Sequence, residues 1–282
     1  MKICISAEST IDLPQALLDE FDIKTVPFSV LLGTELGLDG VVTPLEIFDY
    51  VDRTGVLPKT SAVNEAQFEE YFEGLLKDYD EVIHFSLSQD MSSAYQNACN
   101  VASRMNHVTV VDSKSLSTGI ALLAINASKL AKKGLKPSEI VEKISKRIEH
   151  DQASFVLATV DYLYKGGRCG LLAKLGAQYL RIRPQIIVDN GKMKPGKKYS
   201  GKQIDCVVKY CKDTLEEFNN PDLSLAFVTH SHAPQDMVDA AYNALKERGF
   251  KRIEITTAGA TISSHCGPRC LGILYLNDGE QD

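Results

Sequence analysis

The stretch ISSHCGPRCLG, from Ile262 to Gly272, places a histidine and two cysteines close together in the sequence. A thiol nucleophile needs a base beside it and a third residue that orients this base, and the adjacency of His265 and Cys266 does not establish that geometry. A zinc site needs about four ligands, and His265, Cys266 and Cys270 lack a clear fourth. A histidine that donates to a carboxylate needs only one partner. We therefore interpret His265 as a ligand-binding residue.

A second polar stretch, Pro58-Lys59-Thr60-Ser61, carries two adjacent hydroxyl groups. Hydroxyl groups can donate hydrogen bonds to an anion. Taken alone, the stretch is more typical of a plain turn before the helix that Asn64 is expected to cap. Thr60 and Ser61 become candidate binding residues only in combination with other polar stretches.

A third polar stretch, FSLSQDMSSAYQNA over 85–98, is a strand end followed by a serine-rich turn and a helix. The first backbone N–H groups of a helix are unpaired, and the helix dipole favours a negative group there. Ser92 and Ser93 would add hydroxyl groups to such an anion site. The competing explanation is ordinary capping of the helix by one serine.

The other histidines and the common nucleotide motifs indicate little chemistry. His230 and His232 could bind a metal from one face of an extended segment, although a turn at a strand end is the simpler explanation. His84, within VIHFS, is expected to be a satisfied core residue. The chain has neither a GxGxxG nor a GxxxxGK[ST] loop, so dinucleotide or ATP binding by those routes is not supported. We predict no metal, no cofactor and no catalytic residue.

Charge is distributed unevenly along the 282 residues. The net charge of −6 argues against a general nucleic-acid binder. Between residues 161 and 202, however, the sequence has ten lysines and arginines and only two aspartates. This basic segment therefore carries a net charge of +8, and the rest of the chain carries −14. The segment is either a docking surface or a solvated basic face. Nucleic-acid binding through it would be strongly salt-dependent.

The cellular location is predicted from what the sequence lacks. No apolar run approaches the roughly 18 residues of a membrane span, and MKICISAEST does not have the pattern of a signal peptide. The seven cysteines include no CxxC pair. A reducing cytoplasm is therefore the expected location, with no integral membrane span.

Strands and helices alternate along the chain, which predicts an α/β fold. The pattern starts again at ASFVLATV, over 153–160. We therefore predict two α/β domains, over 1–152 and 153–282, with mainly parallel sheets.

Taken together and in order, the motifs resemble those of the DegV family, which includes the FakB fatty-acid-binding subunits of bacterial fatty acid kinase. The resemblance spans essentially the full length. The motifs that carry it are SAESTIDLP (6–14), KTSAV (59–63), SLSQDMSSAYQNA (86–98), VVDSKSLSTG (110–119), DYLYKGGRCG (161–170), RPQIIVDNGKM (183–193) and ISSHCGPRCLG (262–272).

This resemblance implies a long-chain fatty acid in a cleft between the two domains, with its carboxylate held by Thr60, Ser61, Ser92, Ser93 and His265. It also implies a non-catalytic subunit that presents the acid to a kinase for acyl-phosphate formation. Arg168 and Lys202 would face that kinase, and transient contact with a membrane surface is compatible with this role. An alternative is a small hydrolase or transferase that uses His265 with Cys266, or Ser92 as nucleophile.

The chain departs from the family pattern at several positions. Glu8 replaces an aspartate, Asp90 adds negative charge beside the predicted carboxylate site, and Ser200 and Arg269 replace an arginine and a glycine. These changes bear on the head group that binds and on the kinase that is recognised.

Overall fold

The computed structural model describes residues 1–169 and 182–279, in which strands and helices alternate. Before residue 150 its elements are β1 (Ile3–Glu8), a 3-10 turn (Ser9–Ile11), α1 (Gln15–Phe21), β2 (Ile23–Val26), β3 (Ser29–Leu32), β4 (Glu35–Leu38), α2 (Pro44–Thr54), β5 (Lys59–Ser61), α3 (Glu65–Leu75), β6 (Glu81–Ser86), α4 (Ala94–Ala102), β7 (Val108–Asp112), α5 (Thr118–Lys132) and α6 (Pro137–Ile148).

The later elements are β8 (Asp151–Val156), α7 (Asp161–Lys165), β9 (Arg183–Asp189), β10 (Lys192–Tyr199), α8 (Gln203–Glu217), β11 (Ala226–His230), α9 (Gln235–Arg248), β12 (Ile253–Thr257), α10 (Ala260–Cys266) and β13 (Leu271–Leu276).

The first sheet is parallel throughout, with the strand order β2-β1-β6-β7. Its two central strands, β1 and β6, are largely buried, as expected when helices cover a parallel sheet. Helix α5 packs against β1 and β6 of this sheet and against β8 and β13 of the second sheet. This position between two sheets explains why α5 is apolar on nearly all sides, including Ile120, Leu123 and Ile125.

The second sheet has the order β10-β9-β8-β13-β11-β12 and is mixed. The prediction of mainly parallel sheets must be corrected here, because only β11 and β12 run parallel among the strands described. The described strands of this sheet form four antiparallel pairs. The residues Asp189-Asn190-Gly191 predict a hairpin, and the turn at Asn190 (φ 47°) and Gly191 (φ 84°) joins β9 and β10 in this way. Strand β9 also runs antiparallel to β8, and β13 inserts between β8 and β11 and runs antiparallel to both.

A small antiparallel sheet has the strand order β4-β3-β5, and its three strands come between β2 and β6 in the sequence. Its β5 strand pairs Thr60 with Val30 of β3. Val30 belongs to a separate apolar cluster with Ile47, Phe48, Tyr162 and Ala260. This cluster joins the small sheet and α2 to α7 and α10, so it fixes Thr60 relative to the C-terminal half.

The change from one sheet to the next occurs near residue 150. The last strand of the first sheet ends at Asp112, and the first strand of the second sheet, β8, begins at Asp151. The predicted boundary between 1–152 and 153–282 would fall within β8, and the division into two domains remains a proposal. No helix in the described ranges is long and apolar enough to cross a membrane.

Candidate ligand-binding site

A cavity of about 220 Å³ lies between the two halves of the chain. Its apolar wall and its polar groups come from both halves, as is typical of a small-molecule site. The larger apolar side chains are Phe28, Leu87, Met91, Leu116, Phe155, Leu163, Met193, Ile262 and Leu274. The polar side chains are Thr60, Ser92, Ser93, Ser117, Arg168, Thr229, His230, Ser231, Thr261 and His265.

The cavity contains a direct contact between Thr60 and His265, which are 205 residues apart in sequence. The Oγ1 atom of Thr60 lies 2.8 Å from the Nε2 atom of His265. The Nδ1 atom of His265 is buried and has no hydrogen-bond partner among the described residues. One ring nitrogen therefore joins the two halves, and the other has no partner among the described residues.

The sequence around His265 predicts that Ser264 and Gly267-Pro268 form a turn that aims the imidazole. This prediction is wrong, because His265 lies on helix α10. Ser264 is helical, and its hydroxyl group donates to the Ala260 carbonyl at 2.7 Å. The helix ends only at Gly267, whose φ of 74° lies in the left-handed region that favours glycine. The imidazole is therefore aimed by a helix rather than by a turn.

His265 is uncharged at neutral pH. Burial, with a smaller contribution from the nearby positive charge of Arg168, lowers the pKa of its imidazole to about 4. A neutral imidazole has one N–H donor and one acceptor nitrogen. It can therefore hydrogen-bond Thr60 through one nitrogen and a ligand oxygen through the other.

Two carboxylates from the first half of the chain anchor the start of α10. The backbone N–H of Gly259 donates to Asp12 and that of Ala260 donates to Asp39, both at 2.8 Å. Carboxylates at a helix start satisfy unpaired N–H groups and suit the helix dipole. Burial raises the pKa of Asp12 well above its usual range. These bonds position His265 across the junction, and no sequence motif identified either aspartate as an anchor.

The two adjacent hydroxyl residues, Thr60 and Ser61, have their side chains on opposite faces of strand β5. Successive side chains of a strand point to opposite faces. Accordingly, Thr60 lines the cavity, whereas Ser61 is exposed and is not among the lining residues.

The serine-rich turn brings Ser92 and Ser93 to the cavity wall. Ser92 Oγ accepts a hydrogen bond from Ala94 N–H at 3.2 Å, so this serine also has the local capping role that was the competing explanation. Ser93 precedes α4 and makes no side-chain capping bond. The hydroxyl group of Ser93 is thus the freer of the two for a ligand.

Asp90 is directed away from the cavity, which it does not line. Its carboxylate lies 3.6 Å from Lys192 Nζ, beside the turn of the β9–β10 hairpin. The adjacent Ser88 hydroxyl donates to the Gly191 carbonyl at 2.7 Å. The serine turn and the hairpin therefore contact each other, and the negative charge of Asp90 pairs with Lys192 at this contact.

Glu8 is fully buried and organises the end of strand β6. Its carboxylate accepts hydrogen bonds from Ser86 Oγ at 2.6 Å and from the backbone N–H of Leu87 at 2.9 Å. His84 lies against the same carboxylate at 3.3 Å, and its other ring nitrogen is 2.9 Å from Ser6 Oγ. His84 is therefore a satisfied core residue, as predicted, and Glu8 supports the backbone at Leu87, which lines the cavity.

Arg168 and Lys202, the two residues predicted to face a kinase, have different positions. Arg168 is largely exposed but also lines the cavity, and its Nη1 atom donates to the Gly166 carbonyl at 2.9 Å. Lys202 is exposed at the start of α8 and is not a lining residue. Two cations of the basic segment, Lys174 and Arg181, lie outside the described residues.

Part of the basic segment is neutralised locally. Lys192 pairs with Asp90, Lys194 lies 2.7 Å from Asp189, and Lys197 lies 3.6 Å from Asp213. Exposed pairs of this kind contribute little to stability. They reduce the positive charge that the segment can offer to a partner.

Arg269 takes the conformation that explains the usual glycine at its position. Its φ is 59°, in the left-handed region. Its backbone N–H donates to the Ser231 carbonyl at 2.6 Å, and its carbonyl accepts from Gln203 Nε2 at 2.8 Å. The exposed side chain is not needed for either bond. Ser200 is also exposed, and nothing in the described contacts explains its replacement of an arginine.

Cys266 and Cys270 both line the cavity and are buried. Burial, together with the neighbouring Cys266 thiol, raises the pKa of Cys270 well above its usual range. In the part of the chain that the structure describes, His265 is hydrogen-bonded to Thr60 and not to Cys266 or Ser92. The base–nucleophile contact that the hydrolase alternative requires is therefore not formed.

The arrangement of His230 and His232 fits a turn at a strand end. His230 ends β11, and its Nδ1 atom accepts a hydrogen bond from the Ala233 N–H at 3.3 Å. His232 has a φ of 50°. Within the described ranges, no group of three or more metal-ligating side chains is close enough to hold a metal ion.

Comparison with known proteins gives consistent matches over nearly the whole chain. A DegV domain-containing protein of Caldanaerobacter subterraneus subsp. tengcongensis is 28% identical over 278 residues, covering 97% of this chain and 98% of that protein. A protein of Thermotoga maritima named fatty acid-binding protein is 28% identical over 284 residues, covering 96% of each chain.

A solved structure, described as fatty acid binding of a DegV family protein from Thermus thermophilus, superposes with a TM-score of 0.90. It is 25% identical in sequence, and the match covers 98% of this chain and 99% of the other. The family model described as uncharacterised protein, DegV family, matches residues 2–278. With its order of motifs, its fold and this match, the chain belongs to the DegV family.

Proposed function

We propose that this protein binds a long-chain fatty acid non-covalently, with the acyl chain in the cavity and the carboxylate at Thr60 and His265. The observation that carries the proposal is the position of this half-buried pair at an otherwise largely apolar cavity between the two halves of the chain. The unpartnered Nδ1 atom of His265 gives the carboxylate a ring nitrogen to bond. Relatives from Thermotoga maritima and Thermus thermophilus that are described as binding fatty acids support the same ligand class.

The expected energetics favour reversible binding without a covalent bond. Burying about 14 methylene groups at roughly 0.8 kcal/mol each gives a gross gain of about 11 kcal/mol. Loss of translational and chain freedom offsets part of this gain. The carboxylate then needs only hydrogen bonds that replace those it made to water. One proton of the Thr60–His265 pair is used between these two side chains, so the pair supplies one donor. Ser93 supplies a second donor, and Arg168 at the cavity wall supplies a positive charge.

The fatty-acid proposal is tested by extracting the purified protein with organic solvent and identifying released lipids by mass spectrometry. The delipidated protein is then titrated with hexadecanoate. His265→Ala is expected to lower the affinity about tenfold or more, since the carboxylate loses a buried donor. His107→Ala is the matched control, because His107 is exposed and pairs with Glu81. Failure both to release lipid and to bind added fatty acid refutes the proposal.

The protein then presents the carboxylate to a partner kinase for acyl-phosphate formation and is not itself the catalyst. The exposed Lys202 and the basic segment 161–202 support this part of the proposal, because complementary charge speeds and orients protein association. Arg168 would act at the cavity mouth, between the bound carboxylate and the kinase. A cytoplasmic location fits the seven free cysteines.

A further inference from the structure

Helix α10 carries one hydroxyl group that its own backbone does not satisfy. Ser263 donates to the Ala258 carbonyl at 3.0 Å, and Ser264 donates to the Ala260 carbonyl at 2.7 Å. Thr261 is only 3% exposed, and its Oγ1 atom is buried with no partner in the described ranges. Thr261 also lines the cavity. Its hydroxyl group therefore remains available to a molecule inside the cavity.

Three other hydroxyl groups of the cavity wall, those of Ser117, Thr229 and Ser231, are already engaged. Ser117 donates to Asp12, and Ser231 donates to the Gly267 carbonyl. Thr229 lies 2.6 Å from the hydroxyl group of Thr118 and 2.9 Å from that of Thr256. Leaving a buried hydroxyl unpaired costs about 1–3 kcal/mol. The unpaired Thr261 hydroxyl thus favours a ligand that has a polar group at its position.

The position of Thr261 relative to His265 defines where this polar group must lie. The two residues are four apart on one helix, so they share a face and are separated by about 6 Å along the axis. Both line the same cavity. A ligand whose carboxylate contacts His265 therefore passes Thr261 within the first few carbons of its chain.

We propose that the preferred ligand is a fatty acid with a hydroxyl group near its carboxyl end, and that Thr261 hydrogen-bonds this group. The inference rests on the fatty-acid binding proposed above and adds the substrate class. An unsubstituted acid places methylene groups against Oγ1 and leaves it unpaired. A site that hydrogen-bonds a ligand hydroxyl group strongly rejects an analogue that lacks this group. An apolar pocket that distinguishes ligands only by their size is less selective.

The test compares three acids on the delipidated full chain: hexadecanoic acid, 3-hydroxyhexadecanoic acid and 16-hydroxyhexadecanoic acid. Calorimetric titration is expected to show that the 3-hydroxy acid binds roughly tenfold more tightly than hexadecanoic acid. The 16-hydroxy acid carries its hydroxyl at the far end and gains no such preference. In Thr261→Val, which keeps the shape and removes the hydroxyl, the preference is expected to disappear through weaker binding of the 3-hydroxy acid alone.

Two further variants separate the possible causes. Thr257→Val makes the same chemical change at an exposed strand position outside the cavity lining and should retain the preference. Thr261→Ser retains the hydroxyl and should also keep it. If the wild type binds hexadecanoic acid and 3-hydroxyhexadecanoic acid with equal affinity, the inference is overturned and the fatty-acid proposal remains intact. The partner of the Thr261 Oγ1 atom would then be a bound water. A preference that survives in Thr261→Val also overturns it. Failure of all three acids to bind refutes the underlying proposal.

Discussion

A Cβ atom placed on Gly166 would lie 2.6 Å from the Nδ1 atom of His265. The same atom would lie 2.9 Å from the Tyr162 carbonyl, which belongs to the helix that Gly166 ends. Contacts below about 3 Å are repulsive, and rigid backbone on one side leaves the imidazole as the group that must move. The close approach of α7 to α10 therefore depends on glycine at this position, within the family's double-glycine motif.

Gly166→Ala is predicted to displace the His265 imidazole and to lower fatty-acid affinity about tenfold, because misplaced hydrogen-bond partners lose most of their energy. Calorimetric titration with hexadecanoate measures the effect. Gly74→Ala is the control, since Gly74 lies within α3 with open space around its Cα. This control should leave binding unchanged and stabilise the helix by up to about 1 kcal/mol. Wild-type affinity in Gly166→Ala would contradict the assigned position of the carboxylate.

Local sequence signals predicted many elements well. The sequence predicts a long helix over 115–133 and another from Pro137 to about residue 150, and the structure has α5 over Thr118–Lys132 and α6 over Pro137–Ile148. It also predicts capping boxes at Thr43 and Asn64, and both are present. These features depend on residues three or four apart, and such interactions are readable from a single sequence.

Features that depend on distant residues were not predictable in the same way. From the local sequence, Asp12 is predicted to cap the helix that follows it. In the structure Pro14 is the capping residue of α1, and Asp12 accepts a hydrogen bond from the Gly259 N–H instead. Asp39 had no local motif at all. The polar stretches around Thr60, Ser92 and His265 could be nominated from residue type and from the family resemblance. The exposure of Ser61 and the unpaired hydroxyl of Thr261 required the strand register and the helix that the structure supplies.

The stability of the delipidated protein is predicted to fall as the pH drops from about 6.5 to about 4, with His265 as one cause. The imidazole has a pKa of about 4 in the folded state and about 6.5 when unfolded. The unfolded state therefore binds more protons in this window, so its stability relative to the native state rises with acidity. Denaturant unfolding at a series of pH values measures the slope. His265→Asn should reduce this slope, and an unchanged slope would contradict a buried, neutral His265.

Asp151 is predicted to act in the opposite direction. Burial raises the pKa of its carboxyl group to about 7, and both carboxyl oxygens are buried without a partner in the described ranges. The folded state holds the proton between about pH 4 and 7 while the unfolded state releases it, so stability falls as the pH rises through this window.

Asp151→Asn removes the ionisation while keeping the shape of the side chain. The variant should be more stable than the wild type by about 4 kcal/mol at pH 8 and should approach it near pH 4. The same denaturant series measures this difference. Asp189→Asn, at an exposed carboxylate that pairs with Lys194, is the control and should have little effect. A pH-independent difference between Asp151→Asn and wild type would show that the carboxyl group does not titrate in this window.

Lys202→Glu is predicted to separate kinase recognition from fatty-acid binding. Lys202 is exposed at the start of α8 and does not line the cavity, so its reversal should leave hexadecanoate affinity unchanged. With a bacterial fatty acid kinase catalytic subunit and ATP, the rate of acyl-phosphate formation at limiting protein should fall about tenfold, because charge reversal slows association. Added salt should lower the wild-type rate and narrow the difference in rate between the two proteins.

Lys143→Glu, on the exposed face of α6 outside the basic segment, makes the same charge change as a control. Equal rates for Lys202→Glu, Lys143→Glu and wild type would exclude Lys202 from the kinase-facing surface, whereas a loss of hexadecanoate affinity in Lys202→Glu would place this residue in the binding site.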